Sequence, residues 1–493
     1  MGKKLPIFYN ALLLTAVNLF LRFVSTSFQV FLSGRIGAEG IGLLQLVLSV
    51  GALAMTVGMG GIRTATMYLS AEVIGQKRTE TMTWVLSGCI LYSVLLSSSV
   101  GMVMYRCASW IAQNWIGNPS TVSAIRLLAA FLPVNCLCGV MVGYFTGVNR
   151  IGTLAMVEIF EQLFSMLSIV LLLTLWAANN PSRACLSVIM GSGLGACLTL
   201  TCLLILKKQD PFPQGKRISI RKKLWETAVP LAVADNVKAG INTTETLMVP
   251  KRLALYPGSA APLAEFGMVC GMVFPVLMFP AAILFGLAEL LIPELARCNA
   301  AGSQKRIRHL SEKSILLALI YGTMCGGILY IAADALCFSL YKTPDAGSYL
   351  RRFALLAPML YCDAIVDAMT KGLGQQKKCV RNNIITSAMD VVFLFVLLPK
   401  YGMTGYFVSF LITHLVNFIL SVRLLRKFVG KIIPMGTTVL CLIAAVCSVF
   451  AAQLVSTALG GCLAFLLLFT ALLVLFGIIS KRDIRWLKGL VFR

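Results

Sequence analysis

Histidine is nearly absent from this chain, His309 and His414 being the two in 493 residues, and 19 residues are acidic. The sixteen cysteines form no C-x-x-C pairs and keep no metal-ligand spacing with those histidines, so no metal site is expected. They are read as small buried apolar groups. Long polar stretches are missing too. With 58% of residues hydrophobic and 13% charged, no large soluble domain fits anywhere along the chain.

What fills the sequence is a succession of apolar segments of about 20 residues, the length that a hydrocarbon core about 30 Å thick requires. Fourteen are read, beginning near residues 8, 41, 82, 121, 152, 184, 225, 263, 314, 349, 383, 402, 432 and 459. The expected fold class is an all-α polytopic membrane protein with about fourteen transmembrane helices. The first segment is not read as a cleaved signal peptide, because Asn10, Asn18 and Arg22 interrupt it and no A-x-A-like site follows.

A net charge of +24 invites nucleic acid as a partner, but the 43 basic residues sort by side of the membrane. With the N-terminus inside, thirty fall on inner loops and ends, including Lys3, Lys4, Lys77, Arg78 and the seven of KKQDPFPQGKRISIRKK. Ten fall outside or near outer ends, Arg35, Arg126, Arg252, Arg351 and Lys400 among them. The positive-inside rule is met with both termini cytoplasmic, and basic loops beside anionic headgroups need no nucleic acid. Three cations remain, Arg22, Arg63 and Lys238, all deep within apolar segments.

The chain contains a repeat. AIRLLAAFLPVNCLCGVMVGYFTG, from 124, aligns with YLRRFALLAPMLYCDAIVDAMTKG, from 349, at a constant offset of 225 that pairs Arg126 with Arg351, Pro133 with Pro358 and Gly147 with Gly372. An offset of 227 pairs Gly75 with Gly302, and one of 217 pairs Asn18 with Asp235 and Arg35 with Arg252. The expected organisation is two pseudo-symmetric six-helix lobes, 1–206 and 225–425, joined by a cytoplasmic basic linker, 207–224, and followed by two further spans and a tail, 426–493. Six spans separate equivalents, an even number, so the repeats run parallel.

Transporters place substrate at such a repeat interface, so polar stripes should face a wet cavity. In the first span Asn18, Arg22, Ser25 and Gln29 share a helical face, as do Asp235, Lys238, Asn242 and Glu245 in the seventh. Candidates for ion coupling are Asp235, Glu245, Glu158, Glu161, Asp363, Asp367 and Asp390. Asp235 and Lys238 could equally neutralise each other, and Glu158 and Glu161 could sit at an inner helix end beside Arg150. Asp363 and Asp367, at i, i+4, are read as having no adjoining cation, so a shared proton or a bound cation is expected there.

Arg63 stands in GMGGIRTATMYLSAE, nine residues before Glu72 and so about 13 Å from the inner end of its helix. An arginine at the centre of a span costs ~2.5–3.5 kcal/mol on insertion scales, so compensation is expected. The Gly60-Gly61 pair weakens the helix just before it. Arg22 lies at similar depth, and two guanidiniums there suit a phosphate or pyrophosphate. The alternative is that these guanidiniums, Arg22 and Arg63, form internal ion pairs with Asp235 or Glu245.

SGRIGAEGIGLLQLVLSV, GGIRTATMYLSAE with G-Q-K-R after it, and TAVPLAVADNVKAGINTTETLMVPKRL together resemble the stage V sporulation protein B group of the multidrug/oligosaccharidyl-lipid/polysaccharide exporter superfamily. The resemblance covers about 6–425. It implies two six-helix bundles that alternate between inward- and outward-open states. The implied cargo is an undecaprenyl-diphosphate-linked saccharide, a peptidoglycan precursor such as lipid II or another envelope polysaccharide unit. Lipid II flippases of the superfamily use arginines on the first, second and eighth spans. Arg22 matches the first, Arg63 is on the second at a different place in its motif, and the eighth holds none, with Lys238 as the expected substitute.

The reading is thus a flippase of a bacterial cytoplasmic membrane, with Arg22, Arg63 and Lys238 on the anionic headgroup and Asn18, Gln29 and Asn242 as further polar cavity residues. It is expected to act as a monomer without cofactor, with H+ or Na+ as candidate coupling ion. The alternatives are a cation-coupled multidrug extruder of the same superfamily and a non-transporting scaffold for cell-wall synthesis or sporulation. A membrane-embedded transferase fits least, since the loops are short and basic and carry no catalytic constellation.

Overall fold

A computed structural model describes residues 7–76, 79–177, 180–208, 221–343, 345–430 and 435–478, with the side chains described from residue 20 except at 79, 177, 221–223, 226, 227, 230, 231, 234 and 435. Lys3, Lys4, Lys77, Arg78, most of the linker 207–224, Lys431, the tail from 479 and the Asn18 side chain lie outside the described residues.

By packing, the chain forms two compact units, Met1–Gly267 with Leu394–Pro399, and Met268–Phe393 with Lys400–Arg493. The first holds α1 (Ile7–Met59), α2 (Ile62–Gly75), α3 (Met82–Arg106), the single turn α4 (Ala108–Trp110), α5 (Val122–Gly147), α6 (Ile151–Leu172), α7 (Pro181–Lys208), α8 (Arg221–Leu253) and α9 (Pro262–Gly267). The second holds α10 (Phe274–Met278), α11 (Ala281–Ala300), α12 (Gln304–Tyr341), α13 (Asp345–Ala354), α14 (Ala357–Gly372), most of α15 (Gln376–Val429), α16 (Met435–Ala452) and α17 (Ala458–Leu475).

The protein is an all-α, polytopic membrane protein. Among the described residues eight helices are long and apolar enough to cross a membrane, and ten if each of two bent pairs, around 279–280 and 355–356, is one span. Two of the eight contain a residue with non-helical backbone, Gly37 in α1 and Gly402 in α15, and each divides there into two of the expected segments. With the polar α8 and the short α16, every one of the fourteen expected segments has a helical counterpart.

The offset of 225 recurs in packing, inside each unit separately. A Cβ on Gly101 would stand 2.9 Å from the Ala129 carbonyl oxygen, and one on Gly326 would stand 2.8 Å from that of Ala354. Gly147 meets the Met67 oxygen and Ser70 Cβ, while Gly372 meets the Ile292 oxygen and Leu295 Cβ. The Arg126 guanidinium lies 5.3 Å from the Tyr105 ring centroid and that of Arg351 lies 5.9 Å from Tyr330. These contacts correct the Gly75–Gly302 pairing. The register through Met67 and Ile292 stays at 225, so the caps Gln76 and Ala301 are equivalent and Gly302 has no glycine counterpart.

Within the first unit the same relation becomes reciprocal. Gly42 packs on the Leu263 oxygen and Gly267 on the Ala38 oxygen, so the helix after the Gly37 break crosses α9 backbone to backbone. Only residues without a Cβ allow that approach. The crossing, with α1 packed along α8, fixes the walls of the cavity described next.

Candidate functional site

α1 ends at Met59 because Gly60 and Gly61 both adopt positive φ, +47° and +71°, a region where other residues are strained. One carbonyl freed by the break is satisfied, since Tyr92 Oη donates to Gly60 O at 3.2 Å. Gly61 also lets α8 approach, a Cβ there standing 2.4 Å from the Ala228 oxygen. The glycine pair therefore stops one helix, lets another start at Ile62, one residue before Arg63, and seats α8 opposite it.

The result is a cavity of about 640 Å3 lined by Ser49, Ala52, Met55, Thr56 and Met59 of α1, by Gly61, Arg63 and Thr64, and by Asp235, Lys238, Ala239, Asn242, Thr243 and Thr246 of α8. The α8 contributors recur every three or four residues and so form one face. Thr243 Oγ1 donates to the Ser49 carbonyl at 3.1 Å and ties the two walls together. Arg63, Asp235, Lys238 and Asn242 are all exposed. Two cations and one carboxylate leave the lining with an excess positive charge.

Among the described residues neither Arg63 nor Lys238 has a carboxylate within 4.0 Å. Arg63 is attracted to Glu158 on α6, which is also repelled by Glu161. Arg22, Gln29 and Glu245 are not in the cavity lining, and each has an interaction of its own. The structure thus brings together Arg63, Lys238, Asp235 and Asn242 of the residues singled out from sequence.

The carboxylates of the second unit form a separate polar region. Asp390 is 5% exposed and accepts hydrogen bonds from Ser409 Oγ at 2.5 Å and Thr413 Oγ1 at 3.2 Å. Asp363 accepts from Asn417 Nδ2 at 2.9 Å, while its Oδ1 is buried with no hydrogen bond among the described residues. Asp367 is paired with Lys371 at 2.5 Å. That pair corrects the reading of Asp363 and Asp367 as lacking a nearby cation: Lys371 stands four residues after Asp367, one helical turn on, where side chains meet. Ser409, Thr413, Asn417 and Ser421 escaped the sequence reading, although their spacing of four is a polar stripe on α15.

No protein-family profile matches the chain. It is 21% identical over 444 residues to stage V sporulation protein B of Bacillus subtilis, covering 87% of this chain and 84% of that protein. Among solved structures, the lipid II flippase MurJ in an inward closed conformation superposes with a TM-score of 0.70 at 13% identity, over 94% of this chain and 98% of that one. A multidrug resistance MATE family transporter of the MOP superfamily, facing inward, gives 0.66 at 13% identity, over 90% and 100%.

Proposed function

We propose that this homologue of stage V sporulation protein B, which has the fold of the MOP-superfamily transporters, is a flippase for a polyprenyl-diphosphate-linked saccharide. The observation that carries the reading is the cavity in which Arg63 and Lys238 face open space with no carboxylate within 4.0 Å among the described residues. An excess of positive charge in a membrane-embedded space, with no carboxylate at ion-pair distance among the described residues, is costly unless a ligand supplies the anion. A diphosphate does so. The planar fork of Arg63 takes two phosphate oxygens at once, and the Lys238 ammonium acts as a point charge on the other phosphate. Asp235, Asn242 and the threonine hydroxyls of the lining then offer acceptors and donors to sugar hydroxyls, while the polyprenyl chain stays in lipid.

Transport proceeds by alternating access in the cytoplasmic membrane of a bacterium, with both termini inside, and the protein acts as a monomeric carrier and catalyses no covalent step. Asp363 and Asp390, set among hydroxyls and an amide, are the proposed seat of a coupling proton or sodium ion. A multidrug extruder for organic cations would need a cavity of net negative charge, and among the described residues Asp235 is the single carboxylate in this lining.

The test in cells is charge reversal. Arg63→Glu should raise the pool of lipid-linked saccharide precursors on the inner leaflet. An unchanged pool, with the variant present at wild-type level in the membrane, would favour a non-transporting scaffold instead.

A further inference from the structure

A second pocket, of about 420 Å3, lies in the second unit between the C-terminal part of α12, the last turn of α13 and the turn between α16 and α17. Its polar groups are Tyr330, Asp334, Arg351, Gln453, Ser456 and Thr457. From Arg308 to Asp334 along α12 is about 39 Å at 1.5 Å per residue, more than the roughly 30 Å hydrocarbon thickness. The pocket is therefore at the membrane face opposite the basic start of α12, the outer face by the positive-inside rule.

The repeat separates what is structural here from what is added. The arginine over a tyrosine ring occurs at the equivalent place in the first unit, as Arg126 on Tyr105, and so serves packing in both. The position equivalent to Asp334 is Ser109, and that equivalent to Gly347 is Val122. A Cβ on Gly347 would come 2.5 Å from Asp334 Oδ1 and 2.8 Å from Asp334 Cα, so the glycine lets α13 pack directly on the backbone and carboxylate of Asp334. Asp334 then pairs with Arg351, and both remain open to solvent, at 60% and 44% side-chain exposure. The α16–α17 pair, which lies beyond the repeat, closes the pocket. Gly461 brings α17 against Ala452 and Ile331, with a Cβ there at 3.2 Å from each, and Thr457 caps α17 by accepting from Gly460 N.

Charge decides the ligand class. Asp334 and Arg351 neutralise each other as an ion pair, so the pocket carries no net charge for an ion, and with the amide and hydroxyls beside the pair it suits a neutral molecule rich in hydroxyls. A guanidinium donates to, and a carboxylate accepts from, adjacent hydroxyls of one ring. The Gln453 amide and Ser456 hydroxyl extend the same pattern, the Tyr330 ring offers an apolar surface, and the volume is that of a small-molecule site. We infer that this pocket is an outer-face binding site for a neutral saccharide, separate from the cavity at Arg63 and independent of the cargo proposed there.

The test uses the full chain in phosphatidylcholine nanodiscs, free of sugar detergents, with saturation-transfer NMR of cellobiose and N,N'-diacetylchitobiose. Both disaccharides should receive saturation. Asp334→Asn should weaken binding about tenfold, as loss of a charged acceptor does, and Ser456→Trp, which fills the pocket from an exposed turn and leaves the ion pair in place, should abolish it. Arg63→Ala should leave it unchanged, so failure of the cargo assignment and failure of this one are distinguishable. Displacement by a polyprenyl-linked disaccharide would identify the ligand as a lipid-linked headgroup, and its absence would identify a free glycan; either leaves the saccharide class standing. The inference is overturned by folded wild-type protein that saturates neither disaccharide, by signals in both pocket variants equal to wild type, or by tighter binding of alanine or inorganic phosphate.

Discussion

Replacing Gly267 by alanine places a methyl group 2.0 Å from the Ala38 carbonyl oxygen and 2.7 Å from the Gly42 amide nitrogen. The reciprocal change, Gly42→Ala, places one 2.3 Å from the Leu263 oxygen. Real Cβ contacts do not fall below 3.0 Å, so the crossing helices must part by about 1.0 Å in the first case and about 0.7 Å in the second. Each obstacle is backbone on a packed helix, not the end of a flexible side chain. Overpacking of this kind costs about 1–3 kcal/mol, against a helix-propensity gain of at most about 1 kcal/mol for glycine to alanine. Gly267→Ala should therefore destabilise more than Gly42→Ala. The double variant should cost less than the two together, since one separation of the helices relieves both clashes. Gly240→Ala in α8, with nothing within 4 Å of its added Cβ, is the internal control and should be neutral or stabilising. Thermal unfolding of the purified protein in one detergent ranks all four. If Gly42→Ala and Gly267→Ala melt with the Gly240→Ala control, the backbone crossing does not exist as described.

Three further outcomes follow from the site. Gly61→Ala must hold positive φ and meet the Ala228 oxygen at 2.4 Å, so it should lose about 1–2 kcal/mol from the backbone conformation alone and more from the contact; a melting temperature equal to wild type would contradict the seating of α8 on that glycine. Tyr92→Phe removes the donor to Gly60 O and should cost about 0.5–1.5 kcal/mol by chemical unfolding, whereas a cost near zero would mean that water satisfies the freed carbonyl equally well. Asp390→Asn keeps the shape of the Ser409 and Thr413 contacts but removes the charge, and should abolish any dependence of transport on sodium or on a proton gradient while the protein stays folded; retention of full ion dependence would move coupling elsewhere.

The repeat was legible in sequence because arginine, proline and glycine matches at one offset are rare in a chain otherwise built from interchangeable apolar residues. The packing of Gly101 and Gly326, and of Gly147 and Gly372, uses the same offset. The polar face of α8 was legible from spacing alone, and Asp235, Lys238 and Asn242 do line one cavity. What spacing could not supply was the partner of that face. Arg63 joins it because Gly60 and Gly61 end α1 and admit α8, a consequence of backbone angles and a close tertiary contact that a glycine pair by itself does not specify. The stripe Ser409, Thr413, Asn417, Ser421 was overlooked because small hydroxyl residues in apolar helices ordinarily bond back to their own helix, as Thr413 also does to the Ser409 carbonyl. The Lys371 pairing needed only the i, i+4 rule.

Initial rates of translocation in proteoliposomes bear most directly on the cationic cavity, using a fluorescent polyprenyl-diphosphate disaccharide whose outer-leaflet fraction is read by quenching. Wild-type protein should move the probe. Arg63→Ala and Lys238→Ala should each slow it on the order of tenfold to a hundredfold, the loss of one charge-assisted phosphate contact, and Arg63→Lys should recover part of the rate, since it restores charge without the bidentate fork. A folded Arg63→Ala/Lys238→Ala double variant that translocates at the wild-type rate would contradict the assignment of this cavity to an anionic headgroup.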